Sequence, residues 1–499
     1  MKKLFALFVC AFITTCLFAA EMDSRVRSVP EKISLAAFKN PKTGLASLVQ
    51  NLTEGVNDDA LKVKILHDWI CDNIAFDTQQ YFSGKNKQQD LASVMKKKVA
   101  LGEGYATLFK EMCAAAGIEA VNVKGWSKGL GYSGKLEKKP DYTWNAVNIN
   151  GVWKLVDVAW DAGIVEIHTW IKHYSTEWLF LEPENFIYSH LPEDSNYQYL
   201  PESDRRSKEQ FVKEPYIAGK FFESGLSLSK NIPLYDTVIT GETEYVFKVD
   251  SGTTVTSEIR DKNQNDVTNA SWLNRSKDTL YFSIDVPDTA DYKAMLFAKK
   301  ADVDNYGFKF GIKDFEKNIM PAAEQLAADK TITSNELKMF KSSFMKSKEN
   351  DAYYIKEDLF NKAQNENLIN IFELLELNPR IMEPVLEFNV KADASYKGFG
   401  RDVVKYPTTY NVYNNSTGTK LIAPVCGRLK TGDEVLFKVE SSDFSDIAIE
   451  LEDSLVNFEK KGNGIFELKV TVPEGEVLKV YGSNNGHNYS GLWYYDIVK

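Results

Sequence analysis

The chain has 499 residues, too many for one hydrophobic core, so its length asks for roughly three or four domains. With 43% hydrophobic and 26% charged residues and no low-complexity tract, the composition excludes a disordered or fibrous chain. The formal charge of -10 argues against binding to a phosphate backbone, because that affinity comes from lysine and arginine displacing counterions, so no nucleic acid partner is expected.

At the N-terminus, Lys2 and Lys3 precede an apolar run from Leu4 to Phe18, then Ala19 and Ala20, then the polar Glu21 and Asp23. A positive start, a run short for a membrane span and small residues before a polar stretch predict a signal peptide over 1–20. Cys16 is a candidate lipid-bearing cysteine, although Ile13-Thr14-Thr15 before it is a poor small-residue box. No later run approaches the roughly 20 apolar residues that cross a bilayer, so no transmembrane segment is expected after the signal. The mature chain is then expected to be secreted, or periplasmic and associated with the cell envelope. Removing the signal leaves Cys71, Cys113 and Cys426, without a disulfide framework, a Cys-x-x-Cys or grouped histidines, so neither a metal nor a cofactor is expected.

From Ala60 to Asn73 the apolar residues Leu61, Val63, Ile65, Leu66, Trp69 and Ile70 recur at helical spacing. A second helical stretch starts after Gly102 and runs through Tyr105, Leu108, Phe109, Met112 and Cys113 to Gly117. The period then changes to that of strands at 120–123, 144–149 and 152–158, the last two joined by an Asn150-Gly151 hairpin turn. Two helices followed by antiparallel strands predict an α+β domain over about residues 25–205.

Beyond residue 213 the sequence repeats itself loosely. Gly241-Glu242 leads into a run at 245–251, and Gly432-Asp433 leads into a similar run at 435–441. Further on, the run 280–287 resembles 466–473, and each is followed by two more strand-like runs. Short alternating strands of this kind predict two immunoglobulin-like β-sandwich modules, at 213–313 and 387–499. Between them, 314–386 reads as a helical segment in which Thr333-Ser334-Asn335-Glu336 can cap a helix start.

The most informative stretch is 100–109, with Gly102-Glu103-Gly104-Tyr105 at its centre, followed by Tyr142-Thr143-Trp144-Asn145-Ala146-Val147 and by Leu155-Val156-Asp157-Val158-Ala159-Trp160-Asp161. These residues resemble the transglutaminase-like core of the papain-type fold, and most of all its kyphoscoliosis-peptidase-like group. The segment from Trp178 to Asp194 is similar to the one that follows the core in that group, where β-sandwich modules often come next. The resemblance implies a cysteine at the start of the second helix, a histidine on the next strand and an aspartate on the strand after it. A helix start lowers the thiol pKa, the imidazole takes the proton, and the carboxylate orients the imidazole.

This sequence has Gly102 at the cysteine position, Tyr142 at the histidine position and Asp157 at the aspartate position. Glycine carries no nucleophile, and a phenol of ordinary pKa near 10 is a poor base at neutral pH. The expectation is a pseudoenzyme: a preserved core whose cleft, with Glu103, Trp144, Asn145 and Trp160 about it, binds a protein, a peptide or a cell-envelope glycan. Two alternatives stand beside it. One is an active hydrolase using relocated groups, with His67 and Cys71, four apart on the first helix, as the local imidazole and thiol. The other is a structural or adhesive surface protein in which the β modules make the contacts.

Overall fold

The computed structural model describes residues 22–23, 25–26, 41–84, 89–166, 168–229, 231–267, 269–300, 309–311, 315–347, 352–355, 384–410, 413, 416, 418–452 and 454–499. The segment 1–20 expected to be a signal peptide, with Cys10 and Cys16, lies outside these residues. The described chain forms two compact units. One holds the N-terminal helices and their sheet, and the other holds the sandwiches.

In the first unit, helices α1 (Pro41–Thr53), α2 (Asp59–Asn73) and α3 (Gly102–Ala115) stack beside an antiparallel sheet of β1 (Ala120–Ser127), β2 (Tyr142–Ile149) and β3 (Val152–Val156). Asp58 starts α2 by accepting from the Leu61 N–H at 2.7 Å, which satisfies one of the first-turn donors. The apolar stripes of α2 and α3 meet in one core that contains Val63, Leu66, Ile70, Leu108, Phe109 and Met112. Each such side chain contributes about 1.5–3 kcal/mol on leaving water. Cys113 belongs to the same core, fully buried. The β2–β3 turn places both Asn150 (φ 54°) and Gly151 (φ 86°) in the left-handed region, the type I′ geometry that matches strand twist. Strand β3 ends at Val156, and Asp157 caps a short helix α4 (Val158–Ala162) where the apolar pattern reads as continued strand.

In the second unit the first sandwich uses β4 (Asp236–Ile239), β5 (Thr243–Val249), β6 (Thr253–Asp261), β7 (Ser271–Ser276), β8 (Thr279–Ile284), β9 (Tyr292–Lys300) and β10 (Leu386–Ala392). One sheet has the order Leu226–Ser227, β5, β8, β7, and the other β4, β10, β9, β6. The chain between β9 and β10 contains helices α5 (Met320–Ala328) and α6 (Ser334–Ser342). It also contains a three-stranded sheet ordered Lys309–Gly311, Ala352–Ile355, Phe344–Ser347. The segment read as helical over 314–386 is therefore mixed where it is described, and residues 356–383 lie outside the described part. A boundary at 387 cuts through β10, which pairs with β9 and, in parallel, with β4 of the first sandwich. Local periodicity identifies a strand but not a partner so distant in sequence.

The second sandwich uses β11 (Thr419–Ala423), β12 (Arg428–Lys430), β13 (Glu434–Ser441), β14 (Asp446–Leu451), β15 (Ile465–Thr471), β16 (Val477–Ser483) and β17 (Ser490–Val498). The sequence repeat is a repeat of sheet position. β5 pairs antiparallel with β8, and β13 likewise with β15. β4 runs parallel to β10, and β12 parallel to β17.

The capping box before α6 is present. Thr333 Oγ1 accepts from the Glu336 N–H at 3.2 Å, and the Glu336 carboxylate accepts from the Thr333 N–H at 2.6 Å. Thr333→Ala is expected to cost this helix about 1 kcal/mol. In the full chain it shows as amide exchange over 334–342 about fivefold faster at unchanged rates elsewhere.

Candidate functional site

Helix α3 begins with glycines at 102 and 104 because the space for a side chain is already taken at both. A Cβ on Gly104 stands 2.6 Å from Gln89 Oε1 and 2.9 Å from Ala100 Cβ. A Cβ on Gly102 stands 2.6 Å from Cε2 of Tyr142 and 3.0 Å from its Cζ. The Tyr142 ring thus lies against the helix start. Its O–H donates to Asp157 Oδ1 at 3.2 Å, and its ring tilts against Trp160 with centroids 6.1 Å apart. Asp157 also accepts from the Ala159 and Trp160 N–H groups at 3.0 and 3.2 Å, as the N-cap of α4. The structure therefore brings Gly102, Tyr142 and Asp157 together in sequence from helix to ring to carboxylate. Burial, and then the neighbouring Asp157 charge, push the Tyr142 phenol well above its ordinary pKa, so it stays protonated at neutral pH.

Beside Gly102 opens a depression of about 220 Å³, with Phe76, Tyr81, Glu103, Asp141 and Tyr142 in its lining. Of the residues expected about a cleft, Glu103 lines it. Trp144, Asn145 and Trp160 do not. Trp144 is buried in the sheet at 1% exposure. Asn145 uses its amide N–H groups on the Ala106 carbonyl and on Asn122 Oδ1, both at 3.0 Å, and so ties α3 to β1 and β2. Trp160 is half-buried and packs edge-on against Trp178 at 4.7 Å. Their residue types fit a core as well as a cleft, so the sequence pattern does not separate the two.

His67 and Cys71 do meet, with Sγ 3.7 Å from Nε2 and 3.9 Å from Nδ1. Both are completely buried. The imidazole is gripped by carboxylates on both sides, Asp68 at 3.0 Å from Nδ1 and Asp161 at 2.9 Å from Nε2. Lys64 Nζ stands 2.6 Å from Asp68, and the Tyr174 O–H donates to Asp68 at 2.8 Å. Asp161 further accepts from the Ser175 hydroxyl and from the Trp178 N–H at 3.1 Å. Burial pushes the Cys71 thiol up to about 11, so it is no thiolate at neutral pH. Burial also works against a charged imidazole, but Cys71 and the hydrogen bonds that the ring donates to Asp161 and Asp68 outweigh it and hold His67 well above the usual histidine range. The two carboxylates each favour the charged imidazole through those hydrogen bonds. This network is the feature missed in the sequence. The adjacent His67-Asp68, the Lys64 four residues before Asp68 and the Asp161 four residues after the aspartate position were its available signals.

Among the described residues, no group of three or more histidine, cysteine or acidic residues is placed to hold a metal ion. No helix among them is long and apolar enough to cross a membrane.

Residues 46–183 match the transglutaminase-like superfamily, and residues 208–313 match the KY-like, immunoglobulin-like domain. The chain carries a transglutaminase-like domain. It is followed by a KY-like immunoglobulin-like domain, consistent with the helices, sheet and sandwich described above. Mouse kyphoscoliosis peptidase is 30% identical over 214 residues, covering 41% of this chain and 32% of that protein. The Lim and transglutaminase domain protein ltd-1 of Caenorhabditis elegans is 27% identical over 226 residues, covering 40% of this chain and 29% of that protein. The chain thus spans about a third of the length of the curated relatives it matches. A solved structure described as a TGase is 17% identical with a TM-score of 0.21, covering 26% of this chain and 35% of that one. The transglutaminase-like domain contains all three positions, 102, 142 and 157, that the resemblance assigns to the catalytic groups.

Proposed function

We propose that this chain is an exported transglutaminase-like pseudoenzyme, acting as a binding or scaffold protein at the cell envelope or outside the cell. The observation that carries this reading is the Tyr142 ring. It occupies the space a side chain on residue 102 needs, and its hydroxyl engages Asp157. A thiol-transfer centre needs a nucleophile, a base and room for an acyl group at that place. Here the glycine supplies no nucleophile, and the protonated phenol is no base. The neighbouring immunoglobulin-like domain supports a protein or peptide as partner, since sandwich modules commonly present binding surfaces. Export rests on the Lys2-Lys3 start, the apolar run and Ala19-Ala20.

One curated relative is named as a peptidase, which makes activity the rival to exclude. Purified protein is expected to give no amine incorporation and no peptide hydrolysis above background, and Cys71→Ala is expected to behave identically. Thiol-reactive probe labelling together with turnover, both abolished by Cys71→Ala, overturns the reading. The burial of Cys71 and its raised pKa support the first outcome.

A further inference from the structure

The depression beside Gly102 has a chemistry of its own that the lost catalytic groups do not account for. Its volume of about 220 Å³ is below the range of roughly 300–1,000 Å³ that holds a drug-sized ligand, so it suits one side chain or one small amine. Phe76, Tyr81 and Tyr142 contribute three aromatic rings to the lining. Phe76 and Tyr81 stand 5.6 Å apart at 55°, and Tyr81 continues edge-on into Phe82 at 5.1 Å and 87°. Rings at such angles form non-parallel walls. A cation is attracted to the face of such a ring within about 6 Å of its centroid.

Among the described residues, the charged lining groups are Glu103, Asp141 and Lys124. Glu103 is half-buried and, among the described residues, has no ion-pair partner. Asp141 is exposed and close enough to Tyr81 to raise its phenol pKa, after burial itself. Lys124 is exposed at the rim on a long flexible stem, able to turn into solvent. The start of α3 adds a positive partial charge, and Glu103 in its first turn already answers that charge. Among the described lining residues, two carboxylates and three aromatic side chains therefore stand against one lysine and the helix start.

The geometry points to this depression as a binding site for an organic cation, an ammonium or guanidinium group held by the rings of Phe76, Tyr81 and Tyr142 and by the carboxylates of Glu103 and Asp141. The assignment rests on the binding reading proposed above and names the ligand chemistry for it. The source is either a basic side chain of a partner protein or a free amine, and the two are separable by experiment.

The full chain is titrated, by calorimetry and by protein NMR, with tetramethylammonium, arginine, a blocked peptide carrying one internal arginine, and acetate. Saturable binding of the cations without binding of acetate is expected. Glu103→Gln, which keeps shape and helix, is expected to weaken cation binding on the order of tenfold, and Tyr81→Ala by a similar factor, within the range of a cation–π contact in a partly desolvated site. Lys124→Ala is expected to tighten it. Tighter binding of the blocked peptide than of free arginine assigns the site to a protein partner, and the reverse assigns it to a free amine. Preference for acetate, or cation binding unchanged in Glu103→Gln, overturns the assignment. Absence of any cation binding, with thiol-dependent turnover also absent, removes the cation site and leaves the pseudoenzyme reading standing.

Discussion

Replacing Asp161 by alanine is expected to lower the unfolding free energy of the transglutaminase-like domain by about 3–5 kcal/mol, the range for removing one partner of a buried charge pair. The substitution leaves His67 buried with one carboxylate in place of two, and leaves the Trp178 N–H and the Ser175 hydroxyl without their acceptor. Asp161→Asn restores an acceptor but not the charge, so it recovers part of the loss. Urea unfolding followed by tryptophan fluorescence measures both. A loss below about 1 kcal/mol, the scale of an exposed pair, contradicts the buried network.

The same network sets the pH dependence of stability. His67 is raised in the folded state, so its contribution is complete below the unfolded value of about 6.5 and is lost as pH rises through the higher folded value. Asp68 is lowered there. Burial opposes its charge, but the hydrogen bond and charge of His67, with Lys64, outweigh burial. Its contribution is present above the unfolded value of about 3.9 and is lost as pH falls through the folded one. Stability from this cluster is therefore greatest between the two limits, and Asp161→Asn is expected to shrink the loss on the alkaline side.

The second large effect is a coupling between residues 102 and 142. Gly102→Cys restores the thiol that the resemblance expects, yet it is expected to destabilise the domain by about 1–3 kcal/mol, the cost of overfilling a packed site. Gly102 is not among the glycines with positive φ, so the cost is the contact at 2.6 Å with the Tyr142 ring and not backbone strain. In a Tyr142→Ala background that contact is gone, and the same substitution is expected to be close to neutral. The double-mutant cycle then reads a coupling within about 0.5–3 kcal/mol. Equal costs in the two backgrounds mean that the ring does not occupy the site.

Where the sequence is legible, local chemistry is the reason. Asn150-Gly151 names a turn type, Asp58 and Thr333 name helix starts, and the apolar spacing of 61–70 names a helix face. The placement of Gly102, Tyr142 and Asp157 side by side followed from a resemblance carried by their neighbours, not from spacing. What stayed hidden depends on contacts between distant segments. Trp144 and Asn145 look alike in a cleft or a core until the structure shows Trp144 buried and Asn145 bonded to α3. His67 looks like an ordinary helix residue until Asp161, on another helix, closes on it. Strand β10 carries no mark of the sandwich it completes.

That last strand bears on how the protein is made. β10 is the neighbour of both β4 and β9, so the first sandwich lacks the middle of one sheet until the chain has been synthesised through Ala392. The non-local pairing makes closure of this module late, since the entropy of closing so long a stretch of chain is lost before the pairing rewards it. A fragment ending at residue 313, where the KY-like domain match stops, keeps β4 and β9 with their pairing edges bare. Such edges recruit other strands. A soluble fragment of the first sandwich must therefore run on through β10, carrying the inserted segment or a short linker in its place.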